Sequence, residues 1–334
     1  MDFSFTDDQL QFRDAVRTLL DDRCPPAAVR SAWTNETGRI EGLWARLADM
    51  GVLGLMAPEE RGGLGMGEVD LVLLLEEAGR AAVPDPLLEH TAVAIPTLSD
   101  AGVCADVVDA AVSGAVTVTV GLADAGPYVL GAEQADHLLL ERHASLHLVD
   151  AAAATITPVS SVDDSRRLGR VKFALDDAQL VSDDPRARSL AFDRGALGAA
   201  AQCVGVAQQL LDVTVAYVAE RHQFGRPVGA NQAVKHHLAN VALAIEFARP
   251  MVYEAAWCIA TGAEHRSREV SVAKAMASDA VDLACRRALQ CHGAIGYTIE
   301  YDLQLWLKRG WALAAAWGDS RRHRRRVAAA LQLA

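Results

Sequence analysis

Two stretches in the C-terminal half carry side chains suited to a phosphorylated ligand. The first is Arg221-His222-Gln223-Phe224-Gly225-Arg226-Pro227-Val228, followed by Asn231-Gln232-Ala233-Val234-Lys235-His236. An arginine ends one helical pattern, Phe224 to Pro227 makes a tight turn, and Gln232 falls in the first turn of the next helix. Such a corner offers a guanidinium for a diphosphate, an aromatic face for a purine, and an amide beside the positive end of a helix for anionic oxygens. A surface arginine paired with nearby acids, next to a core phenylalanine, would read the same way. The second stretch is Gln290-Cys291-His292-Gly293-Ala294-Ile295-Gly296-Tyr297, then Glu300-Tyr301. Its small residues let a ligand or another backbone approach closely, and glycine takes positive φ without strain. A ligand-free helix C-cap uses the same residues.

The elements that must position these residues are helical. After Asp184-Pro185 the apolar period is that of helices, expected over about 189 to 221, 230 to 261, 267 to 291, 302 to 317 and 319 to 332. Upstream the period is different. Val116-Thr117-Val118-Thr119-Val120 alternates strictly, and further strands are expected at 137–140, 146–149, 155–159 and 171–175. The N-terminal part is again helical: Thr6 and Gln9 form a capping-box pattern ahead of Leu10, Phe12, Val16, Leu19 and Leu20. Helices are also expected at about 40 to 50 and 68 to 82. The glycine cluster Gly62-Gly63-Leu64-Gly65-Met66-Gly67 superficially matches a dinucleotide fingerprint, but no strand precedes it, and it reads as a loop. The division is therefore an N-terminal α-helical domain over 1–113, a small middle β-domain over 114–184 and a C-terminal helical bundle over 185–334.

Composition narrows the partners. The 334 residues are 51% hydrophobic and 22% charged, which places the chain among folded globular proteins. A net charge of −11 repels a nucleic-acid backbone, and no apolar run is long enough to span a bilayer. The first residues carry no export signal, so a cytoplasmic location is expected. The six cysteines form no CxxC pair or zinc spacing, so neither a disulfide nor a metal is expected. The basic run Arg321 to Arg326 reads as a solvated or interface-facing helix face.

The two motifs, in this order and one helix hairpin apart, resemble those of the acyl-CoA dehydrogenase family, where R-x-x-F-G-x-x-[IL]-x-x-x-Q precedes Q-x-x-G-G-x-G-[YF]-x-x-E-[YF]. Ala294 stands in place of the second glycine. The order helical, β, helical is also the family's. The resemblance implies FAD-dependent α,β-desaturation of an acyl-CoA thioester, with reoxidation by an electron-transfer flavoprotein. It places Arg221, Gln223, Phe224 and Gln232 at the FAD diphosphate and adenine, and Gln290 and Gly293 at the same end, across a subunit interface.

The chain departs from that pattern where the family's base would be. The usual glutamate position falls at Trp317, before Gly318 and Asp319, and the alternative position, two residues after Phe192-Asp193, holds Gly195. The family arginine that often follows corresponds to Ala196, with Arg194 nearby. Asp319 is a candidate relocated base, or equally the N-cap of the last helix. The segments T-E-P-x-x-G-S-D and W-I-[ST]-N-G, which in the family contact the flavin ring, are missing; Val120 to Gly126 is a candidate remnant. The expectation is a subunit that completes the FAD site of a larger, glutamate-bearing acyl-CoA dehydrogenase chain. Such split enzymes resemble those that actinobacteria use on sterol side chains or other bulky acyl-CoAs. The alternatives are a self-sufficient homo-oligomer using Asp319, and a flavin-free structural or regulatory homologue.

Overall fold

A computed structural model of the chain describes residues 4–223 and 225–333. Helix α1 (Asp7–Arg23) starts at the expected capping box: the Thr6 hydroxyl accepts from Gln9 N at 3.2 Å, and the Gln9 side chain accepts from Thr6 N at 2.9 Å. Helices α2 (Pro26–Thr34), α3 (Leu43–Asp49) and α4 (Glu68–Arg80) follow. The glycine-rich segment between α3 and α4 is a loop that bonds back to its own chain, Gly65 N to Ala57 O at 2.9 Å and Met66 N to Leu55 O at 3.0 Å. Beyond Pro86 a π-helical stretch, Leu88–Ala94, runs straight into α5 (Ile95–Ala101), and α6 (Ala105–Val112) closes the region. Sequence periodicity does not register the π stretch, because every residue of Leu88–Ala94 is buried and there is no polar face.

Seven strands follow. β1 (Val118–Gly121), β3 (His137–Arg142), β4 (Ser145–Asp150) and β7 (Ala178–Ser182) form one sheet in the order β1-β3-β4-β7, with β1 parallel to β3 and the other pairs antiparallel. β2 (Val129–Leu130), β6 (Leu168–Lys172) and β5 (Thr155–Val159) form a smaller antiparallel sheet. Two expectations shift. The first strand starts at Val118 rather than Val116, because Asp136 holds the preceding residue: its carboxylate accepts from Thr117 N at 2.7 Å, and Asp136 N donates to Thr117 O. The strand expected at 171–175 lies at Leu168–Lys172, and Leu175–Asp177 is a 3-10 turn. β7 escapes the pattern because its exposure does not alternate along the strand.

The C-terminal part contains α7 (Pro185–Glu220), a short hairpin of β8 (His222–Gln223) and β9 (Arg226–Pro227), α8 (Gln232–Ala260), α9 (Arg266–His292), α10 (Leu303–Ala315) and α11 (Ser320–Ala330). α7 is the central element. From Ala191 to Ala207 nearly every residue is buried, and many are Gly or Ala. This lets α4 and α7 cross at backbone distance: a Cβ on Gly205 would sit 1.9 Å from Glu76 O, and one on Gly79 would sit 2.2 Å from Gln202 O. A buried clamp ties the three parts together. Arg309 on α10 pairs with Asp163 of the middle region, donates to Ser165 Oγ at 2.9 Å and reaches Val83 O at 2.5 Å. Among the described residues no helix is long and apolar enough to cross a membrane.

Candidate functional site

The two motifs meet at one end of the helical bundle. Arg221 caps α7, its N–H bonding Tyr217 O at 2.9 Å, and Val228 N returns to Arg221 O at 2.8 Å, so the β8-β9 hairpin folds back onto the cap. One turn before Arg221, the Tyr217 ring stacks on His292 with centroids 4.2 Å apart, and the Tyr217 hydroxyl lies 3.5 Å from His292 O. Tyr301 packs against both rings. His292 directly precedes Gly293, so this aromatic cluster fixes the spacing between the two stretches. Burial keeps the His292 imidazole neutral, its pKa lowered, while its Nδ1 bonds Ala288 O at 2.8 Å.

Around that cluster the polar groups point outward. Arg221, Gln223, Gln232 and Gln290 are all exposed, and the Arg221 guanidinium has neither a hydrogen bond nor an ion pair among the described residues. The acid partner expected of an ordinary surface arginine is therefore not there. Gln232 opens α8, with its amide 3.1 Å from His236 Nε2. Gly293 ends α9 at φ +66, and a Cβ added to it would meet nothing within 4 Å. Phe224 lies outside the described residues.

A second location sits between the helices and the middle strands. Trp317 is buried, 4% exposed, and holds a left-handed backbone at φ +56. Its ring lies flat against Gly195 of α7: a Cβ there would fall 2.2 Å from Trp317 Cε3. Three groups hold the turn. His323 Nε2 bonds Trp317 O at 2.8 Å, Lys274 Nζ donates to Gly318 O at 3.0 Å, and Trp317 Nε1 points at Glu89 Oε1 at 3.4 Å. Burial pushes the His323 pKa down to about 4 and raises that of Glu89. Asp319 Oδ1 accepts from Arg322 N at 2.7 Å, which makes Asp319 the N-cap of α11.

The neighbouring charges are committed elsewhere. Asp193, fully buried, accepts from Ser267 Oγ and from Arg326 at 2.9 Å. Arg194 bonds Glu68 and Asp100, each at 2.8 Å. The basic run on α11 is paired within the chain, Arg322 with Asp124, Arg324 with Asp279 and Arg326 with Asp193. The turn after β1 is also closed on itself, since Ala123 N donates to Glu141 Oε2 at 2.9 Å and Ala125 N to Leu122 O at 3.0 Å.

Comparison with known proteins matches both helical parts. Residues 6–103 fit the acyl-CoA dehydrogenase N-terminal domain and residues 186–332 the acyl-CoA dehydrogenase C-terminal domain. The acyl-CoA dehydrogenase IpdE2 of Mycolicibacterium smegmatis is 35% identical over 95% of this chain and 96% of its own. The chain belongs to the acyl-CoA dehydrogenase family. Among solved structures, the Tcur3481-Tcur3483 steroid ACAD G363A variant superposes with a TM-score of 0.89 at 26% identity, covering 98% of each chain. The ChsE4-ChsE5 complex from Mycobacterium tuberculosis gives 0.88 at 24% identity and full coverage of both chains.

Trp317 and Gly195 are far apart in sequence, but in space they touch. The indole takes the volume that a side chain at Gly195 would need. Sequence reasoning also passed over Lys274, Glu89 and Arg166, because a charged residue inside an apolar helix pattern reads as an exposed one until its burial is known.

Proposed function

We propose that this chain is the non-catalytic subunit of a heteromeric, FAD-dependent acyl-CoA dehydrogenase, completing the flavin site of a larger partner that carries the glutamate. The observation that carries this reading is the Trp317 ring seated on Gly195: one expected base position holds the indole, and that indole leaves no room for a side chain at the other. General-base catalysis contributes roughly 10²- to 10⁴-fold in rate, so a chain without it contributes binding rather than proton transfer.

The donor set around the Tyr217-His292 cluster fits the diphosphate end of FAD. A free guanidinium at Arg221, the start of α8 at Gln232, the Gln290 amide and an open glycine turn at Gly293 are complementary to an extended anion lying across the surface. In this reading Arg221 donates charge-assisted hydrogen bonds to a phosphate, while Gln223 and Phe224 flank the adenine. Bound FAD supplies the hydride acceptor. The turn after β1, its Ala123 and Ala125 N–H groups already used, offers little to a flavin of the chain's own. Asp319 is occupied as a helix cap, which disfavours it as a base. The substrate class is a bulky acyl-CoA, sterol-derived side chains included, supported by the steroid ACAD named among the similar structures. Electrons pass on to an electron-transfer flavoprotein.

The test is the assembled complex. Arg221→Ala removes a guanidinium-phosphate contact of about 1.5 to 3 kcal/mol and is expected to weaken FAD retention about tenfold or more. Flavin occupancy, read from absorbance after dialysis, decides it; unchanged occupancy contradicts the assignment.

A further inference from the structure

A cleft of about 390 Å³ opens between the middle strands and α10, in front of Trp317. That is the size of a small-ligand pocket. Its walls are apolar and aromatic, with Leu130, Tyr128, Trp311 and the edge of Trp317. Two charged side chains reach it, Arg166 and Glu89, with Ser161 also on its wall. They feel each other's charge, but neither is closed into an ion pair among the described residues. Asp163 is taken by Arg309, and Arg167 donates to Trp33 O and Asn35 O, whereas the half-buried Arg166 guanidinium has no hydrogen bond or ion pair among the described residues. Glu89, 5% exposed, has Trp317 Nε1 at 3.4 Å as its side-chain partner.

An arginine presenting five N–H donors to an apolar cleft is stabilised by an acceptor that matches its planar fork. The Arg309-Asp163 pair is matched internally, and burial raises the Glu89 pKa while Arg166 acts against it, so a carboxylate entering the cleft meets one guanidinium and a carboxyl group shifted toward its protonated form. Arg39 and Asp85, behind the cleft, face each other at 4.0 Å and offset one another. We infer that the cleft binds a carboxylate borne on a compact apolar skeleton, with Arg166 gripping the carboxylate, Glu89 bonding its second oxygen, and the skeleton lying against Tyr128 and Trp311. The carboxylate belongs either to a free acid or to the far end of a dicarboxylic acyl-CoA. This site is independent of the role proposed for Arg221, since it lies on this chain and requires no flavin.

Isothermal titration of the full chain with cyclohexanecarboxylate, cyclohexanecarboxamide, suberyl-CoA and octanoyl-CoA tests it. Saturable binding of the acid, at least about tenfold weaker binding of the amide, and about tenfold loss in Arg166→Gln with partial retention in Arg166→Lys are expected. Suberyl-CoA binding more tightly than both cyclohexanecarboxylate and octanoyl-CoA assigns the carboxylate to an acyl tail; the free acid binding more tightly assigns it to a separate ligand. Equal affinity for acid and amide, or an acid affinity indifferent to Arg166→Gln, overturns the inference. If Arg166→Gln fails to fold, the acid-amide comparison on the unaltered chain decides alone.

Discussion

At the residue scale the decisive contact is between Trp317 and Gly195. Gly195→Ala forces a methyl to within 2.2 Å of the indole, and overpacking of this kind costs typically about 1 to 3 kcal/mol. The same substitution in a Trp317→Ala background has room, so its cost should fall close to zero, a coupling that urea unfolding of the four proteins measures. Equal costs in both backgrounds would mean that the ring does not fill the site. The identity of both residues was legible in the sequence. What no spacing rule could supply was that the two positions are in contact, because one lies on α7 and the other in the turn between α10 and α11, brought together only by the tertiary fold. The positions of Arg221 and Gly293 at helix ends were legible for the opposite reason, since turn residues mark them.

At the element scale, buried polar residues hold the helices in register. Lys274, fully buried on α9, donates to Ser278 Oγ and to the carbonyls of Leu313, Ala314 and Gly318, closing the C-terminal end of α10 and the turn that carries Trp317. Lys274→Met keeps the bulk and orphans those carbonyls, partly offset by relief of the buried charge; a loss of about 2 kcal/mol is expected, with altered near-ultraviolet circular dichroism from Trp317. His90 plays the corresponding part for the π-helical stretch, accepting from Val118 N and bonding Ala111 O, both at 3.1 Å. Burial pushes its pKa down from 6.5 to about 4. Between those values the unfolded chain takes up a proton on this residue and the folded chain does not, so falling pH destabilises the fold. His90→Gln should therefore flatten stability against pH between about 6.5 and 4 by up to about 1.4 kcal/mol per unit relative to the unaltered chain. Asp85, raised to about 6 by burial, acts in the opposite sense but is present in both proteins and cancels in the difference. The capping box of α1 and the long amphipathic helices were legible because local pattern and burial agree there. The π stretch and β7 were not, the first being buried on all sides and the second lacking alternation.

At the scale of the whole molecule, the chain presents exposed donors at one end of its helical bundle and buries the Trp317 indole against Gly195. A free arginine, three exposed amides and an open glycine turn on one end of the bundle are of little use to an isolated subunit. In the proposed function their value lies in a neighbour's cofactor, which makes flavin stoichiometry the most direct measure of the account. The chain should be expressed alone and together with a longer acyl-CoA dehydrogenase chain that retains its glutamate, and FAD counted per protein by absorbance alongside acyl-CoA-dependent dye reduction. The account predicts a colourless, inactive lone chain and an active complex holding one FAD per pair of unlike chains. A lone chain that holds one FAD per subunit and turns over, with Asp319→Asn abolishing the rate, would contradict it.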